Sequence, residues 1–256
     1  TRQPARAQAW DRGISYNHAL HRKYINPGSR VLEIGQEPAG IPHALARLGY
    51  TVDAVELVPH NIEVFCRHTL PAEHITITQG NALDLSAFSD NQYDITLLLG
   101  PLYHLYTKKK TSARRWARPS ASQKQGGIIF AAYVISDGCL LDEGFNRGNI
   151  NAAEYKKNGL LDPETFAAKS EPKDLFELVR KEDIDDLMSI FPTTRLHYAA
   201  ADGCALLIRE AIDKMDDENQ LYLKYHYATC ERKDLTGITS HAIDIFQKTN
   251  HSPPKN

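Results

Sequence analysis

From Ser29 onward the first half of the chain alternates short β-branched and aliphatic runs with stretches whose apolar positions recur at helical spacing. Short apolar runs of this kind fit strands buried on both faces, and strands separated by helices give a parallel, doubly wound sheet. Strands are predicted over Val31–Gly35, Thr51–Glu56, His74–Thr78, Tyr93–Leu99 and Gly127–Ile135, with helices over His43–Leu48 and Asn61–His68.

Past Ile135 the pattern becomes polar and helix-favouring, broken at Asn158-Gly159, Asp162-Pro163 and Glu171-Pro172. In Asp174–Ile190 the apolar residues Leu175, Leu178, Val179, Leu187 and Ile190 recur mostly at helical spacings, which predicts a helix with one buried face. The expectation is therefore a helical insertion over residues 137–193. Two further strands, Arg195–Ala200 and Thr239–Phe246, follow with helices around Leu206–Lys214 and Asn219–Glu231 between them. The fold class expected is α/β: a doubly wound sheet of about seven strands, mostly parallel, with the insertion after the fifth. A chain of 256 residues lies at the upper edge of what one core organises, so residues 1–256 are expected to form a single domain. Ser252–Asn256 reads as a disordered tail.

Composition narrows the partners. With 30 Lys and Arg against 32 Asp and Glu, there is almost no net charge to hold a polyanion, so nucleic acid is not an expected partner. No segment approaches the roughly 20 apolar residues that span a bilayer. Thr1–Trp10 has no apolar signal core, so the expectation is a soluble cytoplasmic protein with no membrane partner. The four cysteines, Cys66, Cys139, Cys204 and Cys230, include no Cys-x-x-Cys pair and read as reduced packing residues, with no metal site expected.

Three features fall at the carboxyl ends of successive strands, where open α/β sheets bind ligands. Val31-Leu32-Glu33-Ile34-Gly35 is a buried strand running into a turn. Val52-Asp53-Ala54-Val55-Glu56-Leu57 closes on an acid about 20 positions later, where a carboxylate can accept hydrogen bonds from both ribose hydroxyls. Gln79-Gly80-Asn81-Ala82 directly follows the third strand. Singly, an acid at a strand end is more often a helix cap or a solvated residue; the ordered set points to a nucleoside-containing cofactor.

These residues, with Tyr93–Leu105 and Gly126-Gly127-Ile128-Ile129-Phe130, resemble the class I S-adenosylmethionine (SAM)-dependent methyltransferases, in particular the ubiquinone/menaquinone-biosynthesis-like group. The resemblance runs over nearly the whole chain, more loosely beyond Asp174, and implies a Rossmann-like fold with SAM as cofactor. It implies that Glu33 and Gly35 line the methionine end and that Glu56 binds the ribose. Leu57 would pack on the adenine, Asn81 and Ala82 would border its edge, and Leu99 and Gly100 would face the amino group through the backbone.

Two stretches depart from that family. Where it carries Glu-x-Gly-x-Gly-x-Gly, this chain has Gln36-Glu37-Pro38-Ala39-Gly40, with Glu37 and Ala39 in place of the second and third glycines. A Cβ there obstructs close backbone approach, and Glu37 brings a negative charge toward the SAM carboxylate. Lys108–Gln125 is basic and Ser-rich, contains Pro119, and lacks the apolar stripe of the helix expected between the fourth and fifth strands, so it reads as solvated or disordered. Both departures have a nucleotide-level alternative. Codons exist for Gln36–Pro42 that, read one nucleotide earlier, spell Ala-Gly-Ala-Gly-Arg-Tyr-Ser, and similar treatment turns Lys108–Gln125 into an amphipathic helix. Thr1–Leu20, which also lacks a helical pattern, is a third candidate for an out-of-frame segment.

Methyl transfer from a sulfonium requires alignment and exclusion of water rather than a covalent nucleophile. A hydroxyl or protonated amine as acceptor also needs a base. His104, after the fourth strand, is the first candidate, with Tyr103 and Asp137 at the same pocket mouth; the plainer reading of each is packing or capping. The insertion and the Tyr222–His226 helix are expected to cover a small-molecule acceptor. Two rivals share the strand-and-acid arrangement. A NAD-dependent oxidoreductase would need a well-placed Tyr-x-x-x-Lys, and the one such spacing, from Tyr106 to Lys110, falls in the departing stretch. A catalytically silent domain would keep the fold and lose the cofactor.

Overall fold

The computed structural model describes Tyr24 and residues 26–35, 40–104, 119–149, 159, 161–171, 174–215 and 221–250. The candidate out-of-frame residues 1–20, 36–39 and 108–118, the Tyr106–Lys110 spacing and the tail at 252–256 lie outside them.

The first half runs β1 (Arg30–Ile34), α1 (Ile41–Arg47), β2 (Thr51–Glu56), α2 (Pro59–His68), β3 (Ile75–Gln79), β4 (Tyr93–Leu98) and β5 (Gln123–Ile135). After β5 come α3 (Ser136–Cys139), the π-helical turn Leu140–Asn146, β6 (Leu178–Val179), α4 (Lys181–Met188), β7 (Thr193–Ala200), α5 (Arg209–Lys214), α6 (Leu221–Thr229) and β8 (His241–Lys248). The sheet order is β3-β2-β1-β4-β5-β8-β7, with β6 paired to β5. β1 to β6 pair in parallel, and β8 runs antiparallel between β5 and β7. Strand order reverses between β1 and β4, and an open α/β sheet binds its ligand at the carboxyl edge of such a reversal.

Both faces of the sheet are buried, which is why the strands read as continuous apolar runs. On one face Val31, Val52, Ile95, Phe130 and Ile245 pack with Leu45 of α1. On the other Leu32, Ile34, Ile129, Ala131 and Phe246 pack with Ile184 and Met188 of α4.

The insertion is only partly helical. Leu178 and Val179 form β6 against Val134 and Ile135, so the front of the predicted Asp174–Ile190 helix is a strand. Two physical causes act there. β-branched and aliphatic residues satisfy the otherwise unpaired end of β5, and Asp183 accepts the Arg180 N–H at 2.8 Å, which starts the helix at Lys181. Leu175, placed by periodicity on a buried face, is exposed.

A second correction concerns the end of the stretch read as solvated. Residues 119–122 are helical and β5 begins at Gln123, ahead of the predicted Gly127. Gln123 is fully buried; its amide N–H donates to the Asp94 carbonyl at 2.6 Å and its carbonyl accepts the Thr96 hydroxyl at 2.6 Å. Lys124 reaches the Asp94 carboxylate at 2.8 Å. Polar side chains do here what an apolar stripe would otherwise do, and period-based reading does not see it.

One ion network fastens the sheet edge to α4. Arg195 on β7 holds the fully buried Asp244 of β8 through two nitrogens, the shortest contact at 2.6 Å, and also reaches Asp185 of α4. Removing one member of such a pair strands the other charge. Arg195→Met is therefore expected to cost about 3–5 kcal/mol, with Arg195→Met/Asp244→Leu recovering most of the loss in chemical denaturation.

Candidate active site

At the carboxyl end of β1 the buried Glu33 leads into Gly35, which sits at φ 71° with its N–H on the Val55 carbonyl at 2.8 Å. A Cβ on Gly35 would lie 2.2 Å from Pro101 Cγ, and one on Gly100 would lie 3.2 Å from the Gly35 carbonyl oxygen. The ends of β1 and β4 thus touch through backbone, with glycine on each side because no side chain fits. Residues 36–39, which carry Glu37 and Ala39, lie outside the described residues; the chain resumes at Gly40, φ 119°, ahead of Ile41 and the buried Pro42 in the first turn of α1.

At the end of β2, Glu56 is 6 % exposed. Its Oε1 accepts the Val58 N–H at 2.7 Å and the Asn61 amide at 3.2 Å, while Oε2 takes no hydrogen bond from the described residues. The carboxylate is thereby fixed against the start of α2 without capping its first-turn N–H groups. Leu57 and Val58 beside it are exposed apolar residues at 57 % and 45 %. Gln79 donates to the Leu57 carbonyl at 3.3 Å, holding the β2 and β3 ends together. Asn81 is turned inward on its own loop, where its Oδ1 accepts the Leu83 N–H at 2.9 Å, and Ala82 packs against the core.

Past β4, Leu99 gives its carbonyl to the Tyr103 hydroxyl at 3.3 Å across the single helical turn Pro101–Tyr103. Tyr103 is buried and His104 is exposed. His104 Nδ1 lies 3.1 Å from the Leu175 carbonyl. A carbonyl only accepts, so the proton belongs on Nδ1 and Nε2 is left with its lone pair. Phe176 closes a trio of rings, 5.6 Å from Tyr103 and 5.2 Å from His104. The Glu177 N–H on the Tyr103 carbonyl at 2.7 Å pins this segment over the end of β4.

Asp137, after β5, is held by Arg180 in a two-bond fork at 2.8 and 2.7 Å, and Arg180 also donates to the Thr165 carbonyl at 2.9 Å. This arrangement ties the insertion to the sheet edge and commits the Asp137 carboxylate to a cation. Arg180 and Phe176 escaped the sequence reading because their partners are about 40 and 70 positions away and form no local pattern. Burial pushes the Cys139 thiol up to about 12, consistent with an unreactive packing cysteine. Among the described residues no helix is long and apolar enough to cross a membrane.

Residues 32–130 match the methyltransferase domain family, and the fold is the Rossmann-like one of solved methyltransferases. Solved structures similar to it include a SAM-dependent methyltransferase from Methanosarcina mazei, at TM-score 0.58 and 15 % identity over 91 % of this chain and 98 % of that one. The N-methyltransferase NodS from Bradyrhizobium japonicum aligns at TM-score 0.54 and 13 % identity over 94 % and 96 %. The 1,6-didemethyltoxoflavin-N1-methyltransferase from Burkholderia thailandensis, solved with its acceptor and S-adenosylhomocysteine, aligns at 0.56 and 13 % over 93 % and 79 %. At these identities the likeness is one of fold. No curated protein matches the chain.

The contact between strand ends gives a direct test. Gly35→Ala is expected to destabilise the protein by at least about 1–2 kcal/mol from the left-handed backbone alone, with the Pro101 clash adding to it, read as a lowered Tm.

Proposed function

We propose that this chain transfers a methyl group from SAM to a small-molecule acceptor held at the carboxyl edge of β4 and β5. The observation that carries the reading is Glu56: a buried carboxylate at the second strand end, one oxygen pinned by the start of α2 and the other open. That oxygen suits a ribose hydroxyl, with Leu57 against the adenine and Asn81 and Ala82 along its edge. Glu33 and Gly35 would line the methionine end, and the Leu99–Gly100 backbone would face the amino group.

SAM, when bound, supplies a methyl group activated by its sulfonium. The chain's own part is to orient, to exclude water and to remove a proton where the acceptor carries one. Tyr103 and Phe176 offer ring faces to an acceptor, and His104 stands beside them with Nε2 as its acceptor nitrogen. Asp137 serves position through Arg180. The insertion and α6 cover the pocket and set its specificity. Neither nucleic acid nor membrane enters this reading, and the cytoplasm is the compartment it fits.

Glu56→Ala should weaken SAM binding by about 1.5–3 kcal/mol, the range for hydrogen bonds to charged groups, in titration calorimetry. Glu56→Gln keeps an acceptor for the Val58 N–H and should lose part of the affinity while retaining stability. Unchanged affinity in both proteins would remove Glu56 from the site.

The Gln36–Gly40 loop sets affinity. Glu37 and Pro38 place a charge and a fixed φ where the family approaches the ligand with bare backbone, so the chain as written should bind SAM weakly. Glu37→Gly/Ala39→Gly, which leaves the buried Ile41 and Pro42 in place, is expected to strengthen binding at least tenfold, about 1.4 kcal/mol. Equal affinity of the two proteins would show that the substituted loop is no obstacle.

A further inference from the structure

A second histidine at the carboxyl edge of the sheet is built more completely than His104. Asp202 follows β7 and is 8 % exposed. Its carboxylate takes four hydrogen bonds among the described residues. Oδ1 accepts from the Thr239 hydroxyl, from the Ser240 N–H at 3.0 Å and from the His241 N–H at 3.1 Å, and Oδ2 lies 2.7 Å from His241 Nδ1. A carboxylate so placed fixes the imidazole rotamer and holds the proton on Nδ1, so Nε2 carries the lone pair. The His241 side chain is 41 % exposed.

Topology places this dyad on the ligand edge. Because β8 is antiparallel, its first residue, His241, pairs with Val134 near the end of β5, and the Ile135 N–H donates to the Ser240 carbonyl at 2.8 Å. β5 separates β8 from β4, so at about 4.8 Å per strand His241 stands about 10 Å along the edge from the β4 end, within the span of one small molecule. The nearby thiol, Cys139, has its pKa raised by burial and by the Asp202 charge, with Glu143 and Asp142 adding to it.

The two histidines differ in what faces Nδ1. For His104 it is a neutral carbonyl; for His241 it is a buried carboxylate, whose charge-assisted hydrogen bond fixes the ring more firmly. We propose that His241, positioned by Asp202, is the base that receives the proton of an acceptor O–H or N–H group, an inference that rests on the methyltransferase reading above. The proton passes to Nε2 and the pair left on X bonds the methyl carbon as the carbon–sulfur bond breaks and its electron pair returns to sulfur. The sulfonium charge is thereby replaced by an imidazolium charge paired with Asp202.

The test compares phenol with anisole, which have similar shape but only one of which carries an O–H. Each is titrated by NMR into the unmodified protein saturated with S-adenosylhomocysteine. Phenol is expected to bind about tenfold more tightly than anisole and to shift the His241 ring resonances. The preference should collapse toward unity in His241→Phe and fall in Asp202→Asn, with S-adenosylhomocysteine affinity unchanged. A purely structural dyad would lower thermal stability in these variants and leave the phenol-to-anisole ratio where it was, which overturns the proposal. So would a ratio near one in the unmodified protein, or a preference lost in His104→Phe instead. If S-adenosylhomocysteine does not bind at all, the methyltransferase reading fails and this inference with it; if it binds and His241 stays silent, only the inference falls.

Discussion

The backbone contact between the ends of β1 and β4 is the constraint on which the site depends. Gly35 at φ 71° and the Pro101 ring it touches allow the two strands to separate at the reversal of the sheet without a side chain filling the gap. From that junction the candidate site residues fan out along one edge: Glu33 on β1, Glu56 on β2, the Tyr103–His104 turn after β4, and Asp137 after β5. Each side chain is placed by its strand end. A ligand at the reversal therefore meets preorganised groups rather than loops that must fold around it.

Much of this was legible in the sequence because parallel strands buried on both faces leave a strong signal. Thr51–Glu56 matches its predicted span, and the other strands of the first half begin and end within a few residues of expectation. Two errors have the same cause: periodicity records apolar residues and is blind to pairing. Leu178 and Val179 fit a helical face as well as a two-residue strand, and only the free end of β5 decides between them. Gln123 is polar and nevertheless belongs to the core, because its amide satisfies Asp94 and Thr96 at once.

What the sequence hid at the site is made of long-range pairs. Arg180 with Asp137 fastens the insertion, Leu175 holds the His104 ring, and Asp202, just after β7, orients His241 at the start of β8. None of these lies within a motif, since the partners come from separate elements and meet only at the sheet edge. The substituted glycine loop stands in the opposite position: it is plain in the sequence, and the strands and α1 around it keep their buried faces.

The central claim is that this edge takes SAM in preference to the dinucleotides that similar sheets also bind. Titration calorimetry of the unmodified chain with SAM and, separately, with NAD at one pH and salt tests it most directly. The account requires measurable binding of SAM, weak as the loop dictates, and none of NAD; binding of NAD without SAM would contradict it.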